Sequence, residues 1–239
     1  MEENLVLLHG FAGSRHTWEP VLARLPDAGI RPLALDLPGH GANADAPRPV
    51  TFAGCVERVL GASPQRFALC GYSLGGRVAL HVALAAPARV SRLVLVSSTA
   101  GIVDASERAA RRAADRRLAD ELESGSLADF VARWCAQPMF ARDPPAVQEL
   151  ARADYGRSRP DALAAVLRGV GTGEMRSLWG RLSELEMPVT VLVGERDAKF
   201  KSIGARMVEL LPQAHLIVVP GGHRLPLECP AELARTLGG

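Results

Sequence analysis

Six short runs of apolar, β-branched or Leu-rich residues, at 5–8, 32–35, 67–70, 94–96, 189–193 and 216–219, constrain this chain more than any other feature. A strand with one wet face alternates apolar with polar residues. A run without alternation marks a strand covered on both faces, the condition of a parallel sheet. Stretches with helical periodicity lie at 17–25, 53–60, 74–86, 203–211 and 231–237. Strands alternating with helices fold as right-handed crossovers on a mostly parallel sheet flanked by helices, an α/β architecture. Ligands in such sheets sit beyond the carboxyl ends of the strands, so the residues that follow each run are the candidates for function.

The stretch 101–173 breaks the alternation. It is rich in Ala, Arg, Asp and Glu and holds no convincing strand. Asp104, with Glu107 three residues on, reads as a capping box opening a helix, and Gly125 as its stop. Pro144-Pro145 and Arg159-Pro160 mark breaks between further helices. An all-helical insertion between two strands is expected to form a lid over the site. The division is then a core of 1–100 and 174–239 and a helical lid of 101–173.

Composition excludes several classes. The net charge of +2 over 239 residues offers no field for nucleic acid. Cys55, Cys70, Cys135 and Cys229 have neither C-x-x-C nor metal-type spacing, so free thiols in a reducing compartment are expected, with no metal and no organic cofactor. Cys70 sits inside an apolar run and reads as a small buried hydrophobe. The acidic start Met1-Glu2-Glu3-Asn4 lacks a basic signal region, and no apolar stretch approaches the roughly 20 residues that span a bilayer. A cytoplasmic protein acting on a small molecule is expected, its oligomeric state left open.

Gly71-Tyr72-Ser73-Leu74-Gly75 follows the third apolar run and opens a helical stretch. This is G-x-S-x-G in the context that gives it meaning: serine on a tight strand-to-helix turn, its hydroxyl exposed at the tip and its neighbours without Cβ atoms to block the turn. A serine becomes reactive when a base takes its proton and an acid orients that base. His223, in Pro220-Gly221-Gly222-His223, and Asp197, in Gly194-Glu195-Arg196-Asp197, follow the last two runs. Their order, Ser then Asp then His, suits this chemistry. His9-Gly10-Phe11 follows the first run, where the Phe11 N–H, paired with the Leu74 N–H, can form an oxyanion hole. His9 is expected to pack under its loop through its ring nitrogens. His40, in the turn Asp36-Leu37-Pro38-Gly39-His40-Gly41, is expected to be structural.

Taken together, LLHGF, DLPGHG, GYSLGG, GERD and GGH resemble the α/β-hydrolase superfamily over essentially the whole chain, with pairing that begins at what is usually the third strand. A narrower resemblance lies in Gly71–77, in the helix 108–116 (R-A-A-R-x-x-x-D-R), in 134–140 (W-x-x-Q-P-x-F), in 167–173 and in 194–200. These look like the SHCHC synthase family (2-succinyl-6-hydroxy-2,4-cyclohexadiene-1-carboxylate synthase) of the menaquinone pathway. That family removes pyruvate from 2-succinyl-5-enolpyruvyl-6-hydroxy-3-cyclohexene-1-carboxylate by base-initiated elimination.

The resemblance implies that Ser73, His223 and Asp197 take the proton, that Arg77, Arg111 and Lys199 hold carboxylates of a polycarboxylate substrate, and that Tyr72 and Trp134 line the pocket. Arginine suits carboxylates because its planar fork binds both oxygens. Each residue also has a plainer use. Arg77 can bond lid carbonyls, Arg111 and Asp115 stand at i,i+4 and can pair, Trp134 can be lid core and Lys199 surface. Arg108, Arg112, Arg116 and Arg117 read as solvated. One departure stands out: the family usually carries an arginine near Tyr155, for which Arg152, Arg157 or Arg159 is the candidate substitute here. A carboxylesterase on the same triad is the alternative activity, and a ligand receptor that keeps the triad is the non-catalytic one. An aspartate-nucleophile enzyme is disfavoured by the serine.

Overall fold

The computed structural model describes residues 2–26 and 29–238. Its centre is one six-stranded sheet of β1 (Glu3–Leu8), β2 (Ile30–Leu35), β3 (Phe67–Tyr72), β4 (Val90–Val96), β5 (Val189–Gly194) and β6 (Ala214–Val219). The strands run in the order β2-β1-β3-β4-β5-β6 and every pairing is parallel.

The helices are α1 (Glu19–Leu22), α2 (Phe52–Ala62), α3 (Leu74–Ala85), α4 (Ala105–Ser124), α5 (Leu127–Cys135), α6 (Pro145–Tyr155), α7 (Pro160–Val170), α8 (Ala198–Val208), α9 (Leu225–Glu228) and α10 (Pro230–Gly238). They explain why the apolar runs do not alternate. Val6 and Leu8 point into a core shared with Val59 of α2, Val78 of α3 and Met207 of α8. Leu5 and Leu7 point the opposite way, against Trp18, Val21 of α1 and Leu233 of α10. In β3, and toward the ends of β1, β4 and β5, each successive residue is buried, on opposite faces, whereas the edge strands β2 and β6 are only partly covered and Val218 stays exposed.

The chain leaves β1 toward β2 and then crosses back to β3 on the other side, with Leu8 in register with both Leu35 and Gly71. The crevice opened by that reversal is where α/β sheets bind ligands. His9-Gly10-Phe11 and Ser73 stand on its two sides.

No strand lies between β4 and β5 among the described residues; α4 to α7 fill that stretch and share a core of Leu122, Phe130, Ala151 and Leu163 that also takes in Ala12 of the β1 loop. Asp104 caps α4 by accepting the Glu107 N–H at 2.7 Å, and α4 ends at Gly125. α6 and α7 begin at Pro145 and Pro160, where proline forgoes only an N–H that a first turn leaves unpaired.

Three expectations shift. The helix over 17–25 contracts to α1, preceded by a 3-10 turn over Arg15–Trp18, because Pro20 fits only a first turn. α8 starts five residues earlier than the periodicity indicates, at a cap formed by Asp197. β4 extends back to Val90, its polar Arg92 tolerated because the guanidinium bonds Glu3 of β1 at 2.6 Å, while the buried Ser91 hydroxyl has no partner among the described residues.

Candidate active site

Ser73 has φ 51° and ψ −106°, a left-handed conformation that L-residues avoid and that a strained turn must hold in place. Three bonds hold it. The Ser73 N–H donates to Val96 O (2.9 Å), and its carbonyl accepts from the Ser98 hydroxyl (2.9 Å) and from the Arg77 N–H (3.2 Å). The flanking glycines are required by close approach: a Cβ on Gly71 would fall 2.3 Å from Gly75 O, and one on Gly75 would fall 2.2 Å from Leu8 O. The turn thus lies directly against β1.

Ser73 Oγ is 3.3 Å from His223 Nε2, and His223 Nδ1 is 2.6 Å from Asp197 Oδ2. Asp197 comes from the β5–α8 junction and His223 from the loop after β6. Both are buried, whereas Ser73 is partly exposed to a cavity. The rings of Phe200, Tyr72 and Phe140 surround the imidazole with centroids at 4.6, 5.6 and 5.8 Å. With Asp197 accepting at Nδ1, the other ring nitrogen is left with a lone pair toward the hydroxyl, the arrangement of a general base.

Phe11 and Leu74 border the same cavity, and their N–H groups donate to no acceptor among the described residues. Their loop rests on two neutral histidines. His9 Nδ1–H donates to Gly10 O (2.7 Å) while its Nε2 accepts the Leu37 N–H (3.0 Å). His40 Nε2 accepts the Ala12 N–H at 3.3 Å, and its Nδ1 faces Pro38 O at 3.2 Å. Burial lowers the pKa of both, that of His40 well below the ordinary value with His9 adding to the effect. Asp154 of α6 clamps the same loop by accepting from the Ser14 N–H (3.1 Å) and the Thr17 hydroxyl (2.7 Å).

The cavity has a volume of about 1120 Å³ and runs between the strand ends and the α4–α7 segment. Arg77, Arg111 and Lys199 all border it, as do Tyr72 and Trp134. Arg77 is buried, and its Nη1 donates to Val170 O at 2.7 Å, so the bond to a carbonyl is made. Its Nε and Nη2 have no protein partner among the described residues. Burial first, and then the nearby Arg111, pulls its pKa down to about 10, which still leaves a cation at neutral pH. Arg111 Nε bonds Asp115 at 2.8 Å, and this is not an exposed surface pair: Asp115 is buried and also accepts the Gly173 N–H at 3.0 Å. Trp134 is both core and wall, 5.0 Å from Phe11 and stacked on Phe130 at 5.8 Å. Lys199 is exposed at the margin.

Other placements depart from the sequence reading. Arg206, absent from the sequence reading, borders the cavity with its guanidinium 4.3 Å over the Trp179 ring, while Arg117 is exposed as expected and touches the cavity only at its edge. Lys199, Ile203 and Arg206 fall at i, i+4 and i+7, one helical face, and that spacing was the available signal. None of Arg152, Arg157 and Arg159 borders the cavity. Arg159 is held by Asp45 and Asp161 at the surface. The guanidinium that reaches Tyr155 belongs instead to Arg224, whose Nε donates to the Tyr155 hydroxyl at 3.2 Å. Among the described residues no three His, Cys, Asp or Glu side chains cluster as metal ligands.

A buried imidazole beside a hydroxyl, two N–H groups without an acceptor among the described residues and several cations around one cavity suit proton abstraction or acyl transfer on an anionic substrate. Comparison with known proteins agrees. The model of the alpha/beta hydrolase family matches residues 5–236. A 2-succinyl-6-hydroxy-2,4-cyclohexadiene-1-carboxylate synthase of Klebsiella pneumoniae (strain 342) is 36% identical over 237 residues, 98% of this chain and 91% of the relative. The structure of MenH from S. aureus superposes with a TM-score of 0.91 at 31% identity, covering 98% of this chain and 91% of that one. A thermophilic esterase from Thermogutta terrifontis, malate bound, shares the fold with a TM-score of 0.86 at 24% identity, over 99% of this chain and 88% of that one. The chain belongs to the alpha/beta hydrolase family and is an enzyme, similar over nearly its whole length to the SHCHC synthases.

Proposed function

We propose that the protein is a lyase that eliminates pyruvate from 2-succinyl-5-enolpyruvyl-6-hydroxy-3-cyclohexene-1-carboxylate to give 2-succinyl-6-hydroxy-2,4-cyclohexadiene-1-carboxylate, the menaquinone-pathway step for which its relatives are named. The two compounds fix the bond changes. A proton leaves ring C2, beside the succinyl ketone; C2=C3 forms, C3=C4 shifts to C4=C5, and the C5–O bond breaks. The departing enolpyruvate takes up a proton and tautomerises to pyruvate.

His223, oriented by Asp197, withdraws the Ser73 proton, so that the serine oxygen acts as base toward C2. As C2 loses its proton, negative charge grows on the succinyl ketone oxygen, and the Phe11 and Leu74 N–H groups receive it. Arg77 and Arg111 hold the carboxylates, with Lys199 at the margin and Tyr72 and Trp134 as walls. His223 returns the proton to the leaving enolpyruvate. The helical segment 101–173 serves as a lid that keeps water from the enolate.

The observation that carries this reading is the convergence of a Ser–His–Asp contact chain and two arginines from separate parts of the chain on one cavity. An ester pocket has no use for both arginines. The test follows pyruvate by coupling to lactate dehydrogenase. Pyruvate release should fall by about a thousandfold or more in Ser73→Ala and in His223→Ala. Brisk hydrolysis of p-nitrophenyl butyrate without release of pyruvate would overturn the proposal in favour of a carboxylesterase.

A further inference from the structure

Arg224 is the residue after His223 and only 1% exposed. A guanidinium taken out of water needs both its charge and its N–H groups answered. All its partners lie in the α4–α7 segment. Its Nη1 bonds the buried Asp143 carboxylate, its Nε donates to the Tyr155 hydroxyl (3.2 Å), and its Nη2 reaches Cys135 Sγ (3.4 Å). The guanidinium carbon lies 3.6 Å from the centre of the Phe140 ring, which itself faces His223. The Ser73, His223 and Asp197 contacts do not use Arg224, and nothing in the sheet or its two cores calls for a charge at this depth.

We propose that Arg224 is a positioning residue: with Asp143 it forms a charge-neutral latch that holds the helical segment against the His223 loop and keeps the imidazole between Asp197 and Ser73. This rests on the reading of His223 as the base. One peptide unit of about 3.8 Å separates the two Cα atoms, so anchoring the guanidinium limits where the imidazole can go. The limit matters because the Ser73–His223 separation of 3.3 Å is already long, and little further movement breaks it.

The electrostatics give the latch a signature. The polar groups in contact with His223 are Asp197 from the β5–α8 side and Ser73 and Tyr72 from the end of β3; Lys199 borders the same cavity, and Glu228 of α9, paired with Arg196, accepts the N–H of the neighbouring Gly222. The latch adds Asp143 and Arg224. Burial raises the Asp143 carboxyl above the ordinary carboxylate range, opposed chiefly by Arg224 and to a smaller degree by His223. The two charges of the latch offset each other at the imidazole. Without Arg224, burial drives the Asp143 carboxyl further up, and wherever it is still ionised it is an unanswered second carboxylate facing His223 that favours imidazolium. Without Asp143, Arg224 disfavours it.

The test compares Arg224→Met, Asp143→Asn, their combination and Arg224→Lys by the pH dependence of Ser73 phosphonylation with a fluorophosphonate, with the melting temperature measured alongside. This reaction needs a base for the serine but no natural substrate. The acid limb should move up by about half a pH unit in Arg224→Met and down by a similar amount in Asp143→Asn. The combination should restore the limb and much of the melting temperature while reacting about tenfold more slowly than wild type, since nothing then holds the loop. Arg224→Lys should keep the limb but react more slowly, a point charge being unable to span three partners. Unmoved limbs in both single variants, or a combined variant with the wild-type maximal rate, would overturn the latch. A wild-type enzyme whose Ser73 fails to react, or reacts without pH dependence, would instead sink the base assignment and the latch with it.

Discussion

Replacing Gly75 by alanine tests how the reactive turn is built. The added Cβ would lie 2.2 Å from Leu8 O, 2.6 Å from His9 O and 2.6 Å from Leu8 C, all backbone atoms that cannot swing aside. Cβ contacts under 3.0 Å are essentially never seen, so α3 and the end of β1 must separate by 0.8 Å, the difference between 3.0 and 2.2 Å. Leu74 is the neighbour of Gly75, and the Phe11 N–H is carried by the loop that leaves Leu8 and His9. The separation therefore opens the distance between the two proposed oxyanion donors. Losing one such donor typically costs 10²–10³ in kcat, or about 3–4 kcal/mol, and overpacking adds about 1–3 kcal/mol of destabilisation. The expected result is a fall in kcat of about a hundredfold with little change in KM, and a melting temperature lower by about 2–4 °C per kcal/mol lost. Pyruvate release at saturating substrate and a thermal melt measure the two. Gly61→Ala is the control: it lies in α2 with nothing within 4 Å of an added Cβ, so it should gain about 0.5–1 kcal/mol and leave kcat unchanged. A Gly75→Ala enzyme that melts early but keeps its kcat would refute the placement of the oxyanion hole at the start of α3. One unchanged in both would refute the close packing itself.

Arg77→Ala should raise KM for the enolpyruvyl substrate by about tenfold or more, because a charged hydrogen bond to a carboxylate is worth about 1.5–3 kcal/mol, and should affect p-nitrophenyl esters much less. Equal losses on both would assign Arg77 to its bond with Val170 O. Burial lowers the pKa of His9, His40 and His81, so below about 6.5 the unfolded chain binds more protons than the folded one. The stability these residues permit is complete above that pH and is lost as pH falls through it, by at most about 1.4 kcal/mol per pH unit for each histidine. Melting temperatures should drop between pH 7 and 5, His40→Asn should flatten the drop, and a level profile would contradict the assignment. Burial also pushes the Cys55 thiol up to about 12 and Cys229 up to about 11, and raises Cys70 as well. Ellman's reagent should therefore find these three thiols silent until the chain unfolds; rapid labelling of the native protein would count against the packing around them.

The central strands were legible because burial on both faces writes itself into their residues: Leu5 and Leu7 serve one core, Val6 and Leu8 the other, while the edge strands β2 and β6 show only apolar runs that are partly covered. The same rule hides a strand start such as Ser91-Arg92, where the charge of Arg92 is answered only by Glu3 of a strand two places away in the sheet. The four-residue α9 has too few turns to show a period. Ser73, Asp197 and His223 were legible for another reason, since few residue types can do this chemistry and each falls just past a strand. The arginines were not. Arg77 bonds the Val170 carbonyl, as the plainer reading of its position has it, and also borders the cavity, so its sequence position alone does not say which use matters. The Arg206 position was open to inspection as one face of α8, but Arg224 was not: its partner Asp143 is 81 residues away, and no local pattern records such a pairing. Ser98 with Ser73 and Asp154 with Ser14 are of the same kind. Two of these three long contacts cross from the sheet layer into the α4–α7 segment and the third braces Ser73 itself, so tertiary fit sets the seam around the reactive serine where local pattern does not. Selectivity among related enzymes with the same triad is therefore expected to be written along that seam, in pairs such as Arg224 and Asp143 that must change together.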